Sequence, residues 1–112
     1  PVTLDDLLTL DDSHPIAINC KAWGKTVWMR PPSSGRKDAL DSRLYDSDAE
    51  ETDMTNFRAR TVALCLCDES GQWLSKDPIA DGDRLAAKSA AAIAELFEHA
   101  KKLLGDEGTE KN

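Results

Sequence analysis

The chain has 112 residues, enough for one domain with a single buried core and too few for two. Acids outnumber bases 21 to 14, a formal net charge of -7, and they do so in both halves: 11 against 6 over residues 1–56 and 10 against 8 over residues 57–112. No basic half exists to neutralise phosphates, so nucleic-acid binding is disfavoured, and no apolar run approaches the roughly 20 residues that span a bilayer.

In chain order, Thr3-Leu4-Asp5-Asp6-Leu7-Leu8-Thr9 places a hydroxyl before two carboxylates and two leucines. That pattern predicts an N-cap and one helical turn, a peripheral cover for the core. Ile16, Ile18 and Cys20 alternate onto one face, and residues 26–30 alternate again before Pro31-Pro32 stops pairing. The two runs read as a β-hairpin joined around Trp23-Gly24, too short to stand without a partner surface. Ser33-Ser34-Gly35 starts a helix through about Tyr45, with Ala39, Leu40 and Leu44 as its apolar stripe. Residues 46–53 hold five acids in eight positions and predict a solvated, mobile loop.

From Thr55 to Cys67 two periods compete. Phe57, Val62, Ala63, Leu64 and Leu66 fit a helix capped by Thr55 or Asp53, while Val62, Leu64 and Leu66 alternate as in a strand. The favoured reading is a helix from 54 to about 61 that passes into a strand at 62–67. Asp68-Glu69-Ser70-Gly71 is then a tight turn, and Gln72-Trp73-Leu74 the returning strand. Asp77-Pro78 and Asp81-Gly82-Asp83 punctuate the next stretch. Positions 85, 86, 89, 92, 93, 96, 97, 100, 103 and 104 trace one helical face, in which Ser89 is the polar member. They predict an amphipathic helix of about six turns from Asp83 to Leu104, closed by Gly105. The expected fold is α+β, with short β-hairpins packed against helices and a long C-terminal amphipathic helix. Residues 1–105 form the domain, and residues 106–112 a polar, frayed tail.

Neither a catalytic nor a metal constellation emerges. Cys65-x-Cys67 lies in an apolar run and lacks the loop-like C-x-x-C knuckle of a zinc site. With Cys20 these residues read as reduced core thiols. His99 stands beside Glu98 and one turn after Glu95, an ordinary surface i, i+4 pair, and His14 has no recognisable partner. No local signature supplies a nucleophile, so the expectation is a protein that is not an enzyme. Asp68 to Gly71 begins like a calcium loop, but Gln72-Trp73 breaks the ligand series. Arg36, Lys37, Arg58 and Arg60 read as a salt-bridged face beside Glu50, Glu51 and Asp53. Trp28 and Trp73 are either a lid on the core or anchors for a partner. Acidic Asp5-Asp6 stands where a secretory signal is basic, which points to a soluble protein of the cytoplasm.

Several of these segments, in order, resemble the small tail assembly chaperones of long-tailed bacteriophages. They are Leu4 to Leu8, Trp23-Gly24, Val27-Trp28-Met29-Arg30, Asn56-Phe57-Arg58-Ala59-Arg60, Cys67-Asp68-Glu69-Ser70-Gly71, and Lys88-Ser89-Ala90-Ala91-Ala92 with Leu96-Phe97. The resemblance covers most of the chain, and the acidic stretch 46–53 departs from it. It implies a chaperone without a cofactor that coats the helical tape measure protein and keeps it soluble. It also implies recruitment of tail tube protein, mainly through a longer frameshift form, together with self-association, residence in the host cytoplasm and absence from the mature virion. Trp23, Trp28, Arg30, Arg58 and Trp73 are the candidate residues for partner binding. The rival classes are a minor virion protein, such as a tail-completion or connector component, and a regulator that mimics nucleic acid through its acidic surface.

Overall fold

A computed structural model describes residues 1–46 and 48–105, without the side chain of Asp46. The fold is α+β. Helix α1 (Leu4–Leu8) is followed by strands β1 (Ile16–Cys20) and β2 (Lys25–Met29), helix α2 (Ser34–Leu44), strands β3 (Tyr45–Asp46) and β4 (Glu51–Thr52), helix α3 (Phe57–Cys65), strand β5 (Leu66–Cys67), and helices α4 (Pro78–Leu85) and α5 (Ala90–Leu103). An antiparallel sheet runs in the order β1-β2-β5, and β3 and β4 pair separately. No helix among the described residues is long and apolar enough to cross a membrane.

The local signals for α1, the hairpin and α2 act as read. Thr3 and Asp6 form a capping box, each side chain accepting from the other's backbone amide. Ser33 Oγ accepts from the Arg36 amide at the start of α2. Gly24 takes a left-handed φ of 61° in the hairpin connection, a conformation that glycine adopts without a Cβ clash. Register pairs Ile18 with Val27 and Ile16 with Met29, so Ile18, Cys20 and Met29 bury on one sheet face. α1, however, covers nothing: none of its residues is buried.

Four expectations change. The helix read as 54–61 runs instead through Cys65, and the strand that follows is only Leu66–Cys67. Every residue from Ala59 to Cys65 is buried, because α3 is enclosed by α4 and α5 and has no solvent face to impose a helical period. Its N-cap position is Asn56, with a left-handed φ of 49° and no side-chain cap, while Asp53 accepts instead from the Thr55 amide. The returning segment at 72–74 is no strand; Trp73 makes a single bridge to Cys67, and the Leu74 amide donates to the Leu66 carbonyl at 3.1 Å. The acidic stretch after α2 contains the short β3–β4 pair, in which Tyr45 faces Thr52. Finally, the long helix is two helices. α4 begins at Pro78 behind the Asp77 cap, and α5 begins behind Ser89, whose side chain accepts from the Ala92 amide at 3.2 Å. The C-terminal amphipathic helix is thus Ala90–Leu103, and it closes at Gly105 with φ 81°. The expected tail, residues 106–112, lies outside the described residues.

Both α4 and α5 pack on α3, and Gly82 permits the close approach of α4. A Cβ there would fall on the Arg60 backbone and 2.6 Å from Arg60 Cγ. The residue read as punctuation is the contact point of two helices. Around it, the core gathers Met29, Leu64, Leu96, Val62 and the three cysteine side chains, all fully buried.

Candidate interaction surface

Several groups able to carry chemistry are committed to structure. Cys20, Cys65 and Cys67 are free and buried. Burial pushes the Cys65 thiol up to about 12 against the opposing pull of Arg36, and it raises Cys67 as well, against Arg30. Both are neutral packing groups near neutral pH. Among the described residues, no three His, Cys, Asp or Glu side chains cluster as metal ligands would. Glu95, read as the partner of His99, instead accepts from the Lys21 amide at 2.8 Å and the Ala22 amide at 3.2 Å. These donors hold its carboxyl below the ordinary range and tie α5 to the hairpin connection. Asp68 closes its own turn, accepting from Ser70 Oγ at 2.7 Å and the Gln72 amide at 2.9 Å.

The basic cluster is likewise dispersed. Arg60 is buried and donates to Asp83 at 2.8 and 3.1 Å and to Asp53 at 3.2 Å. Lys37 pairs with Asp41 one turn on. Arg58 lies over Phe97, 5.7 Å from the ring centroid, where Phe57 also meets Phe97 edge to face.

Three of the five residues singled out for partner binding do converge. Trp28 pairs with Cys67, and Cys67 in turn bridges Trp73, so the three occupy one row across the sheet. Directly paired residues in antiparallel strands project to the same side. Here that side is the one opposite Ile18 and Met29. Cys67 is buried beneath the row, and the two indoles are half-buried above it. Arg30 and Arg36 flank Trp73, each guanidinium carbon 4.2 Å from the ring centroid. Such contacts contribute about 0.5–1 kcal/mol each at exposed sites. Arg36 also donates to the Leu64 and Ser75 carbonyls at 3.0 and 2.8 Å, and Arg30 Nη1 reaches the Ser13 carbonyl at 3.4 Å. Arg30 Nε is buried without a hydrogen-bond partner among the described residues. The result is a rigid aromatic and cationic strip made of Trp28, Arg30 and Trp73. Trp23 packs against the core at the hairpin connection, and Arg58 stands on α3 beside Phe97, so neither joins the strip.

Two apolar features were not singled out by sequence reasoning. The first is the N-terminal arm, with Leu4 and Leu8 70% and 72% exposed. Its Leu-x-x-Leu-Leu spacing is visible in the sequence, but amphipathy alone does not say whether a body covers it. The second is a groove of about 400 Å³ beside α4, with Leu74, 62% exposed, at its edge and Leu66 and Leu85 in its wall. It depends on segments far apart in the chain, and nothing local signals it. Comparison of the chain with protein-family models, with curated proteins and with solved structures gives no match in any of the three.

Proposed function

We propose that this protein is a phage tail assembly chaperone that binds the tape measure protein, keeps it soluble and helps to recruit tail tube subunits. The observation that carries the reading is the ordered succession of motifs from Leu4 to Phe97. Two of them, 27–30 and 67–71, are far apart in sequence yet contribute Trp28, Arg30 and the base of the same indole strip. A strip of preordered aromatic and arginine side chains is the kind of surface that anchors a protein partner at little entropic cost. An apolar helical client presents many weak, repeated sites, which a small domain bearing such a strip can cover in number. The protein acts in the host cytoplasm and does not remain in the virion. Recruitment of tube protein runs mainly through a longer frameshift form.

Co-expression with a tape measure fragment is the test. The fragment enters the soluble fraction with this chain and is pulled down with it, and Trp28→Ala weakens the pull-down at a temperature where circular dichroism shows the variant folded. A fragment that stays insoluble in both conditions removes the reading. Finding the protein in purified virions transfers support to a tail-completion or connector role.

A further inference from the structure

We propose that the N-terminal arm, residues 2–10, docks in the groove beside α4 of a second copy of this chain, making an arm-to-groove contact between copies. Two unfilled halves of one surface carry this contact, independently of the chaperone reading.

The arm is the first half. Leu4, Leu7 and Leu8 lie at i, i+3 and i+4, hence on one face, and Val2 and Leu10 extend the apolar surface at either end. All five are more than half exposed. A helix this short is marginal in water; the Thr3–Asp6 capping box, the bond from Thr9 Oγ1 to the Asp6 carbonyl and a few backbone bonds of the turn itself hold it. Exposed leucines on a preformed turn are what a docking segment presents. The arm is also acidic, with Asp5 and Asp6 among the leucines and Asp11 and Asp12 in the tether behind it.

The groove is the second half. Its wall is Ala63, Leu66, Leu74 and Leu85, and its rim carries Arg84, with a side chain 85% exposed, and Lys88. Asp81 also lines it, accepting from Ser75 Oγ at 2.6 Å and pairing with Arg84 at 3.4 Å, so the net positive charge of the rim is that of Lys88. The groove therefore meets a partner as an apolar slot with a cationic rim, complementary in both respects to a leucine arm with aspartates. Residue 13 is pinned to the body, because Ser13 Oγ donates to the Pro31 carbonyl and its own carbonyl accepts from Arg30. Only Thr9 to Asp12 separate that anchor from α1, yet none of the helix residues is buried and none lines the groove of its own chain, which leaves that groove open to the arm of a second copy. Five apolar side chains bury far less than the roughly 1,600 Å² of a standard interface, so a single contact is weak. An arm that fits a different surface on the next copy is a heterologous contact.

Sedimentation velocity on the full chain, over a wide concentration range, reads the association. The wild type forms concentration-dependent oligomers that weaken with added salt. An arm variant, Leu4→Glu with Leu8→Glu, is monomeric and melts like the wild type, because the arm buries nothing in the single chain. A rim variant, Arg84→Glu with Lys88→Glu, is also monomeric. Each variant retains one intact half, so an equimolar mixture of the two forms a one-to-one pair and goes no further. A wild type that stays monomeric throughout, an arm variant that associates as before, or a mixture that does not pair overturns the proposal. Leu8→Cys and Leu74→Cys provide the direct readout: on separate molecules they cross-link between copies. A cross-link that forms only within one doubly substituted chain gives the groove to its own arm and overturns the proposal too.

Discussion

Gly82 shows how one atom decides a helix crossing. Alanine at a helix interior gains about 1 kcal/mol over glycine in propensity, while overpacking a fixed contact costs roughly 1–3 kcal/mol. The neighbour here is the Arg60 backbone, not the movable end of a side chain, so the clash is the larger effect. Gly82→Ala is expected to lower stability by about 1 kcal/mol net in urea denaturation, whereas Gly35→Ala, with open space around its missing Cβ, has no such clash. If Gly82→Ala is neutral or stabilising, α3 and α4 do not cross where described.

At the level of helices and strands, the division of the C-terminal region into α4 and α5 depends on Ser89. Its side chain satisfies the Ala92 amide, one of the donors left open at a helix start. Alanine would remove that acceptor and restore an unbroken apolar face. Loss of an N-cap costs about 1 kcal/mol. Ser89→Ala is therefore expected to destabilise by about that amount in chemical denaturation, with faster amide exchange at Ala92. Unchanged stability and exchange would mean that the hydroxyl is not what holds the break.

The whole molecule is joined by ion pairs that bring distant segments to one buried guanidinium. Arg60 links Asp53, after the β3–β4 pair, to Asp83 in α4. Bonding to Arg60 and Asn56 lowers the Asp83 pKa, and the Thr55 amide and Arg60 lower that of Asp53. Linkage sets the sign. Both carboxylates are depressed in the folded state, so their stabilisation is present above the unfolded value of about 4 and is lost as pH falls below it. The urea midpoint is therefore expected to fall as pH drops below about 4. Asp83→Asn is expected to be less stable than the wild type at neutral pH and to show a shallower acid decline. Parallel pH profiles for the two proteins would exclude this network as a source of acid sensitivity.

Local rules made much of the fold legible. The capping box at Thr3, the alternation of Ile16 to Cys20, the Ser33 cap and the Asp68 turn each depend on residues within a few positions of one another, and each forms as read. Trp28 and Trp73 were legible as a candidate pair of anchors, but their convergence with Arg30 was not, since Trp73 lies on no strand and reaches the sheet through a single bridge to Cys67. The extent of α3 was not readable: a helix buried on every side has no polar face, and its apolar run fits a strand equally well. The Asp53 partner of Arg60 was legible, but its Asp83 partner and the partners of Glu95 and Arg36 were not, because a charged side chain does not encode which distant amide, carbonyl or carboxylate will reach it. The Ser89 break sat inside an otherwise periodic stripe, where periodicity argues for continuation and masks the cap that Ser89 forms on the Ala92 amide. Hydrophobic spacing and caps act through neighbours in sequence, whereas crossings, buried ion pairs and grooves arise only when distant segments are packed together.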